Sequence, residues 1–170
     1  AWGPLIGNTD PAECLMLGNL CTRLGLEGNE AGFLVSMVQE LYEKETLSTR
    51  DTEGLELRWG NAQGVRTLLE RIAYRQGHFA NLLAEGTMRA AEALGPEAQA
   101  CAIYTKKGHS PRGHDHRAIW REMFDTATSD IGTYESGYLG PPDPEVPSLG
   151  DGFSWEAVSS HVARAKGRRQ

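Results

Sequence analysis

The sequence predicts a mainly α domain, and three observations carry that prediction. Apolar residues recur at i, i+3, i+4 and i+7 in successive segments. Helix-start and helix-stop residues bracket those segments. Only one short stretch alternates in the manner of a strand.

The elements follow in order. Asp10-Pro11-Ala12-Glu13 reads as a helix start, with Asp10 as N-cap, Pro11 in the first turn and Glu13 reaching back to the free amides. That helix is expected to run to about Leu24 and stop at Gly25. A second begins near Asn29, where Leu34, Met37, Val38, Leu41 and Tyr42 form one apolar face. Thr49 or Asp51 opens a turn, and Leu55-Glu56-Leu57-Arg58-Trp59 alternates like a short strand. Asn61 caps a third helix with Val65, Leu68, Leu69 and Ile72 inward, closed by Gly77. Phe79, Leu82, Leu83 and Ala90 define a fourth, ending at Leu94-Gly95-Pro96. Residues 101–105 read as extended. A helix is expected from about His116 to Thr126, then a Gly- and Pro-rich loop, then a last helix capped by Ser154. One helical region of 170 residues results: a first helical part over about 1–95, then loops and a last helix over about 96–170.

Composition narrows the function classes. Hydrophobic residues at 39% and 20 glycines fit a globular domain large enough for a core. With 23 acidic against 17 basic residues the net charge is -6, which disfavours a nucleic-acid partner. No apolar run reaches the ~20 residues of a membrane span. Cys14, Cys21 and Cys101 are an odd number at no motif spacing, so buried free thiols in a reducing cytoplasm are expected. The first residues carry no initiator Met, and we expect a piece of a longer chain, incomplete at both ends.

Two segments hold the residues best suited to chemistry. His109-Ser110-Pro111-Arg112-Gly113-His114-Asp115-His116 combines imidazoles with a carboxylate. It reads as a polar loop entering a helix, as a ligand-binding loop, or as a metal site of the kind a small hydrolase uses. Thr22-Arg23-Leu24-Gly25-Leu26-Glu27 sits at a helix end and by itself needs no role beyond a Gly cap. Glu135 is a lone acid in a Gly-rich loop.

Taken together, the segments resemble one family. Cys21-Thr22-Arg23-Leu24-Gly25-Leu26-Glu27 is similar to the C-x-x-x-G-L-D stretch of the tungsten-dependent aldehyde:ferredoxin oxidoreductases. Leu41-Tyr42-Glu43-Lys44, the run Asp51 to Ala62, and Leu82-Leu83-Ala84-Glu85-Gly86-Thr87 resemble further family segments in the same order. Pro111-Arg112-Gly113 and Ala127-Thr128-Ser129-Asp130 follow, so the resemblance covers about residues 12–139.

The resemblance implies a helical domain of that type and a tungsten atom held by two pterin dithiolenes beside a [4Fe–4S] cluster. It implies oxidation of an aldehyde to a carboxylic acid, with ferredoxin or another carrier taking the electrons, in an enzyme that is oligomeric when complete. Carried across, Gly25, Leu26 and Glu27 match the pterin-binding D-x-x-G-L-D motif, in which backbone amides and the last carboxylate hold the pterin. Thr22 stands where the motif has its first Asp, and Arg112 lies in the matched turn. The family's catalytic His falls on Glu135, and His114 and His116 are candidates for the displaced acid–base work. The four cluster cysteines are expected outside this chain. Two alternatives stand beside this reading. One is a divergent member acting on another substrate, as benzoyl-CoA reductases do. The other is a noncatalytic helical binding module.

Overall fold

The computed structural model describes residues 1–113. They form a short 3-10 turn, Pro4–Ile6, and six helices: α1 Pro11–Arg23, α2 Gly28–Glu43, α3 Ala62–Ala73, α4 His78–Leu83, α5 Thr87–Leu94 and α6 Pro96–Cys101. There is no strand among the described residues, as a mainly α class requires. No helix among them is long and apolar enough to cross a membrane.

The organising element is α2. It packs against the 3-10 turn, α1, α5 and α6, while α3 packs on α1 and α4. Its residues Leu34, Val35, Met37, Val38 and Leu41 are nearly all removed from solvent, on more than one side of the helix. Such all-round burial marks a central helix. Around it close Ile6, Leu17, Leu57, Val65, Leu68, Leu69 and Leu83 in one continuous core. Burying each such side chain contributes about 1.5–3 kcal/mol of transfer free energy. Trp2 and Ile6 join this core, and Ala1 and Leu5 lie close over α2 where it is bare at Gly32, since a Cβ there would meet both.

Helix starts written in local sequence appear where expected. The Asp10 carboxylate accepts the amides of Ala12 and Glu13 at 2.7 and 3.4 Å. The Asn61 side chain accepts the Gly64 amide at 3.1 Å and opens α3.

Four expectations need correction. Residues 55–59 do alternate, with Leu55 and Leu57 buried and Glu56 and Arg58 exposed, but no partner strand accompanies them among the described residues. Their loop is pinned instead by side chains: the Thr52 hydroxyl donates to Leu55 O at 2.6 Å, and Gln39 Nε2 to Arg58 O at 3.0 Å. Gly77 does not end α3. The helix closes at Tyr74 with Arg75 left-handed (φ 51), and Gly77 becomes the N-cap of α4. The single helix expected from Phe79 to Leu94 is two, α4 and α5, broken at Gly86 (φ 89). Residues 96–101 form α6, so Cys101 is helical and the extended stretch begins only after it. The helices expected from His116 and Ser154 lie outside the described residues.

Candidate functional site

The Gly25-Leu26-Glu27 segment is a hinge of two fused caps. The Leu26 amide donates back to Cys21 O and the Gly25 amide to Thr22 O, each at 3.1 Å, with Gly25 left-handed at φ 71. This paired pattern is a Schellman stop, which needs a residue tolerant of positive φ. Two residues later Glu27 starts α2. Its Oε1 accepts the Asn29 amide at 3.1 Å and its Oε2 the Glu30 amide at 2.6 Å, while Asn29 Nδ2 adds a third donor at 3.1 Å. The N-cap of α2 is thus Glu27, two residues before the expected start.

This geometry bears on each residue of the motif. The amides of Gly25 and Leu26 are engaged inside the helix end, so neither is an idle donor. The Thr22 hydroxyl turns back onto its own helix, donating to Gly18 O at 3.0 Å. Beneath the hinge, Cys21 is buried and its thiol donates to Leu26 O at 3.4 Å. Burial first, and the Glu27 charge second, push that thiol up from its ordinary value. Among the described residues, no atom comes within 4 Å of a Cβ built on Gly25 or Gly28, so the backbone there is open to an approaching group.

Glu27 and Glu30 stand at the edge of a small groove of about 90 Å³ whose apolar lining includes Leu26, Leu34, Leu69 and Leu83. That is well below the ~300–1,000 Å³ of ordinary small-molecule sites. A larger groove of about 670 Å³ lies at the other end of α2, lined by Tyr42, Glu43, Leu47, Arg58 and Trp59. None of the candidate site residues among those described lines it. We therefore locate the candidate site by its chemistry, at the start of α2.

Glu30 is the residue that sequence reasoning passed over. Three positions after an acidic cap it reads as an ordinary first-turn glutamate. In the structure its Oε1 accepts the Thr87 amide at 2.6 Å and its Oε2 the Ser110 amide at 2.8 Å. Ser110, nearly fully buried, also bonds through its hydroxyl to the Thr87 hydroxyl at 3.2 Å. The partners lie 57 and 80 residues away, so no local spacing announces them.

Through Ser110 the beginning of the His- and Arg-containing loop is tied to the first turn of α2. Arg112, half-buried, follows two residues later, and a Cβ on Gly113 would lie 3.7 Å from Leu5. His109 is exposed, and its carbonyl accepts the Thr105 amide at 2.8 Å. His114, His116 and Glu135 lie outside the described residues. Among those described, no three or more His, Cys, Asp or Glu side chains are grouped to hold a metal. All three cysteines are unpaired.

Residues 1–168 match the family described as aldehyde ferredoxin oxidoreductase, domains 2 and 3. The chain belongs to this family. It is similar to the tungsten-containing aldehyde ferredoxin oxidoreductase of Pyrococcus furiosus, 34% identical over 125 residues, which is 70% of this chain and 20% of that protein. The protein of the same description from Thermococcus kodakarensis is 33% identical over 125 residues, again 70% and 20%. The aliphatic sulfonate oxidoreductase, WOR-like subunit, of Pyrococcus furiosus is 36% identical over 89 residues, 52% of this chain and 14% of that one. The chain thus spans at most about a fifth of the length of these relatives.

Within the aldehyde ferredoxin oxidoreductase family, the segments that carried the resemblance divide by role. The run from Asp51 to Ala62 is architectural: Thr52 and Asn61 tie the loop, and the Trp59 indole donates to Glu43 at 2.9 Å. The Gly25–Glu27 hinge and Ser110, by contrast, meet at one helix start.

Proposed function

We propose that the chain forms part of the cofactor-enclosing helical region of a tungsten-pterin oxidoreductase that oxidises aldehydes to carboxylic acids. The observation that carries this reading is the convergence just described: Glu30 ties the Ser110 segment to the helix that Glu27 starts.

The residues fit a pterin in chemistry. A pterin presents a flat edge of N–H donors, and a carboxylate has about four acceptor sites. Among the described residues three at Glu27 are taken by the cap, which leaves one. The open backbone at Gly25 admits a planar ring. In this reading the Glu27 carboxylate holds the pterin edge, the Gly25-Leu26 backbone and Thr22 flank it, and the Arg112 guanidinium pairs with a phosphate. When bound, the tungsten centre supplies the oxidation–reduction chemistry. Glu135, aided by His114 or His116, accepts the proton released as the substrate is oxidised. The thiols described here do not suit a [4Fe–4S] cluster, which takes four thiolates; Cys21 is buried and donates to a carbonyl. The cluster ligands then belong to other parts of the complete enzyme. That enzyme would be a cytoplasmic oligomer passing electrons to ferredoxin.

A second reading is favoured by one observation. A carboxylate, Glu135, falls where the resemblance expects a histidine, and one relative is named for aliphatic sulfonate rather than aldehyde. A different substrate on the same cofactor is consistent with both.

The test is elemental and pterin analysis of the complete protein. Tungsten and iron are expected in the wild type. Glu27→Ala is expected to lose tungsten with its helical circular dichroism kept, whereas Glu27→Asp retains the metal. Full tungsten in Glu27→Ala, or none in the wild type, overturns the reading. Viologen reduction by an aldehyde panel and by alkyl sulfonates then separates the two substrates.

A further inference from the structure

We infer that Glu30 is a positioning residue of the candidate site: it holds the Ser110-Pro111-Arg112 segment at a fixed distance from Glu27. The inference rests on the cofactor reading above and adds to it a residue to which the family resemblance assigns no role.

The geometry is a chain of short bonds. Glu27 Oε2 accepts the Glu30 amide at 2.6 Å, which fixes the backbone from which the Glu30 side chain projects. The two Glu30 oxygens then accept Thr87 N–H and Ser110 N–H at 2.6 and 2.8 Å. Both bonds are charge-assisted, and Ser110 is buried, so water competes poorly for its amide. One rigid carboxylate therefore sets the spacing of three backbone segments: the start of α2, the start of α5 and the approach to Arg112. Two residues of chain span at most about 7 Å, so fixing Ser110 confines Arg112 to a small region. The approach itself leaves little slack. Residues 105–109 close on themselves through Thr105 and His109, and Gly108 lies against Met88 of α5. Glu30 makes no contact with the proposed cofactor in this scheme. It acts through Glu27 on one side and Arg112 on the other.

The test uses the complete protein with two readouts, amide hydrogen exchange and tungsten retained after dialysis. Glu30→Ala is expected to speed exchange at Ser110 and Thr87 by about tenfold or more, as for loss of a charge-assisted bond. It is also expected to lower retained tungsten. Glu30→Gln keeps the shape and one acceptor oxygen, and should give an intermediate loss of both; it serves if the alanine variant does not fold. Faster exchange with full tungsten would make Glu30 a helix-capping residue only and overturn the inference. Unchanged exchange would overturn it as well. Glu27→Ala and Arg112→Ala serve as controls for the parent reading. If both keep full tungsten, that reading falls and the inference with it. If both lose tungsten while the Glu30 variants keep it, the inference falls alone.

Discussion

The Glu53 carboxylate accepts the His78 amide at 2.8 Å, closing the first turn of α4 from a loop 25 residues earlier. Gly77, between them in space, has φ 89, and a Cβ there would overlap a Glu53 oxygen. The pair repeats at α5, where Gly86, also at φ 89, stands beside Glu30 and Thr87. A glycine strips the helix start bare, and a distant carboxylate caps it. Glu53→Ala should therefore cost about 1 kcal/mol, the usual value of a lost N-cap. Gly77→Ala should cost more, because it adds both a forbidden φ and the overlap. Urea denaturation of the two variants checks the order; equal losses would contradict it.

Glu45 closes α2 in the left-handed region at φ 58, with the Thr46 amide donating to Leu41 O and the Glu45 amide to Tyr42 O. This is the stop that Gly25 makes for α1, but with a side chain where glycine is preferred. Relief of about 1–2 kcal/mol of left-handed strain is offset by about 0.5–1 kcal/mol of added chain entropy. Glu45→Gly should accordingly raise stability by about 0.5–1 kcal/mol. A thermal or urea midpoint at or below wild type would count against it.

Acid should destabilise the fold through carboxylates held low. The Arg75 hydrogen bond, then its charge, keeps Glu85 below the ordinary glutamate value. The Ser48 hydroxyl and amide do the same to Asp51. A depressed folded-state pKa gives stability that is present above the unfolded value and disappears as pH falls through the folded one. The urea midpoint is expected to hold from neutral pH down to the ordinary carboxylate range and to fall below it. Glu85→Gln should lower the neutral-pH midpoint slightly and flatten the acid limb. An acid limb as steep as wild type would remove Glu85 from the account.

The Cys21 thiol, pushed up by burial and by the Glu27 charge, should stay protonated and unreactive in the native state. Thiol reagents are expected to modify Cys14 and Cys101, both partly exposed, and to reach Cys21 only after unfolding. Because the folded pKa is raised, stability is complete below the unfolded thiol value and is lost as pH climbs through the folded one. Cys21→Ser should lessen that alkaline loss. Mass-spectrometric mapping of labelled cysteines in native and urea-treated protein decides the first point, and urea midpoints in the alkaline range the second.

What the sequence determined by itself is whatever is encoded within a few residues. Asp10 and Asn61 cap helices through their own side chains two or three positions on, and Gly25 supplies the positive φ its stop demands. The apolar spacing from Leu34 to Leu41 announces a packed helix because the contacts follow from 3.6 residues per turn. The Thr22–Glu27 and Pro111–Gly113 segments were likewise legible, as ordered matches to a family. Only the tertiary structure decided the rest. Leu55–Trp59 alternates as a strand does, yet strand formation needs a partner, and the fold supplies hydrogen-bonding side chains instead. Arg75 closes α3 in place of Gly77, because a chain held at both ends by packed helices can keep a non-glycine residue left-handed. Glu30 looks like a first-turn acid until Thr87 and Ser110 are brought to it. A carboxylate's partners are set by proximity in space, and residues 57 and 80 positions apart become neighbours only once the core has formed.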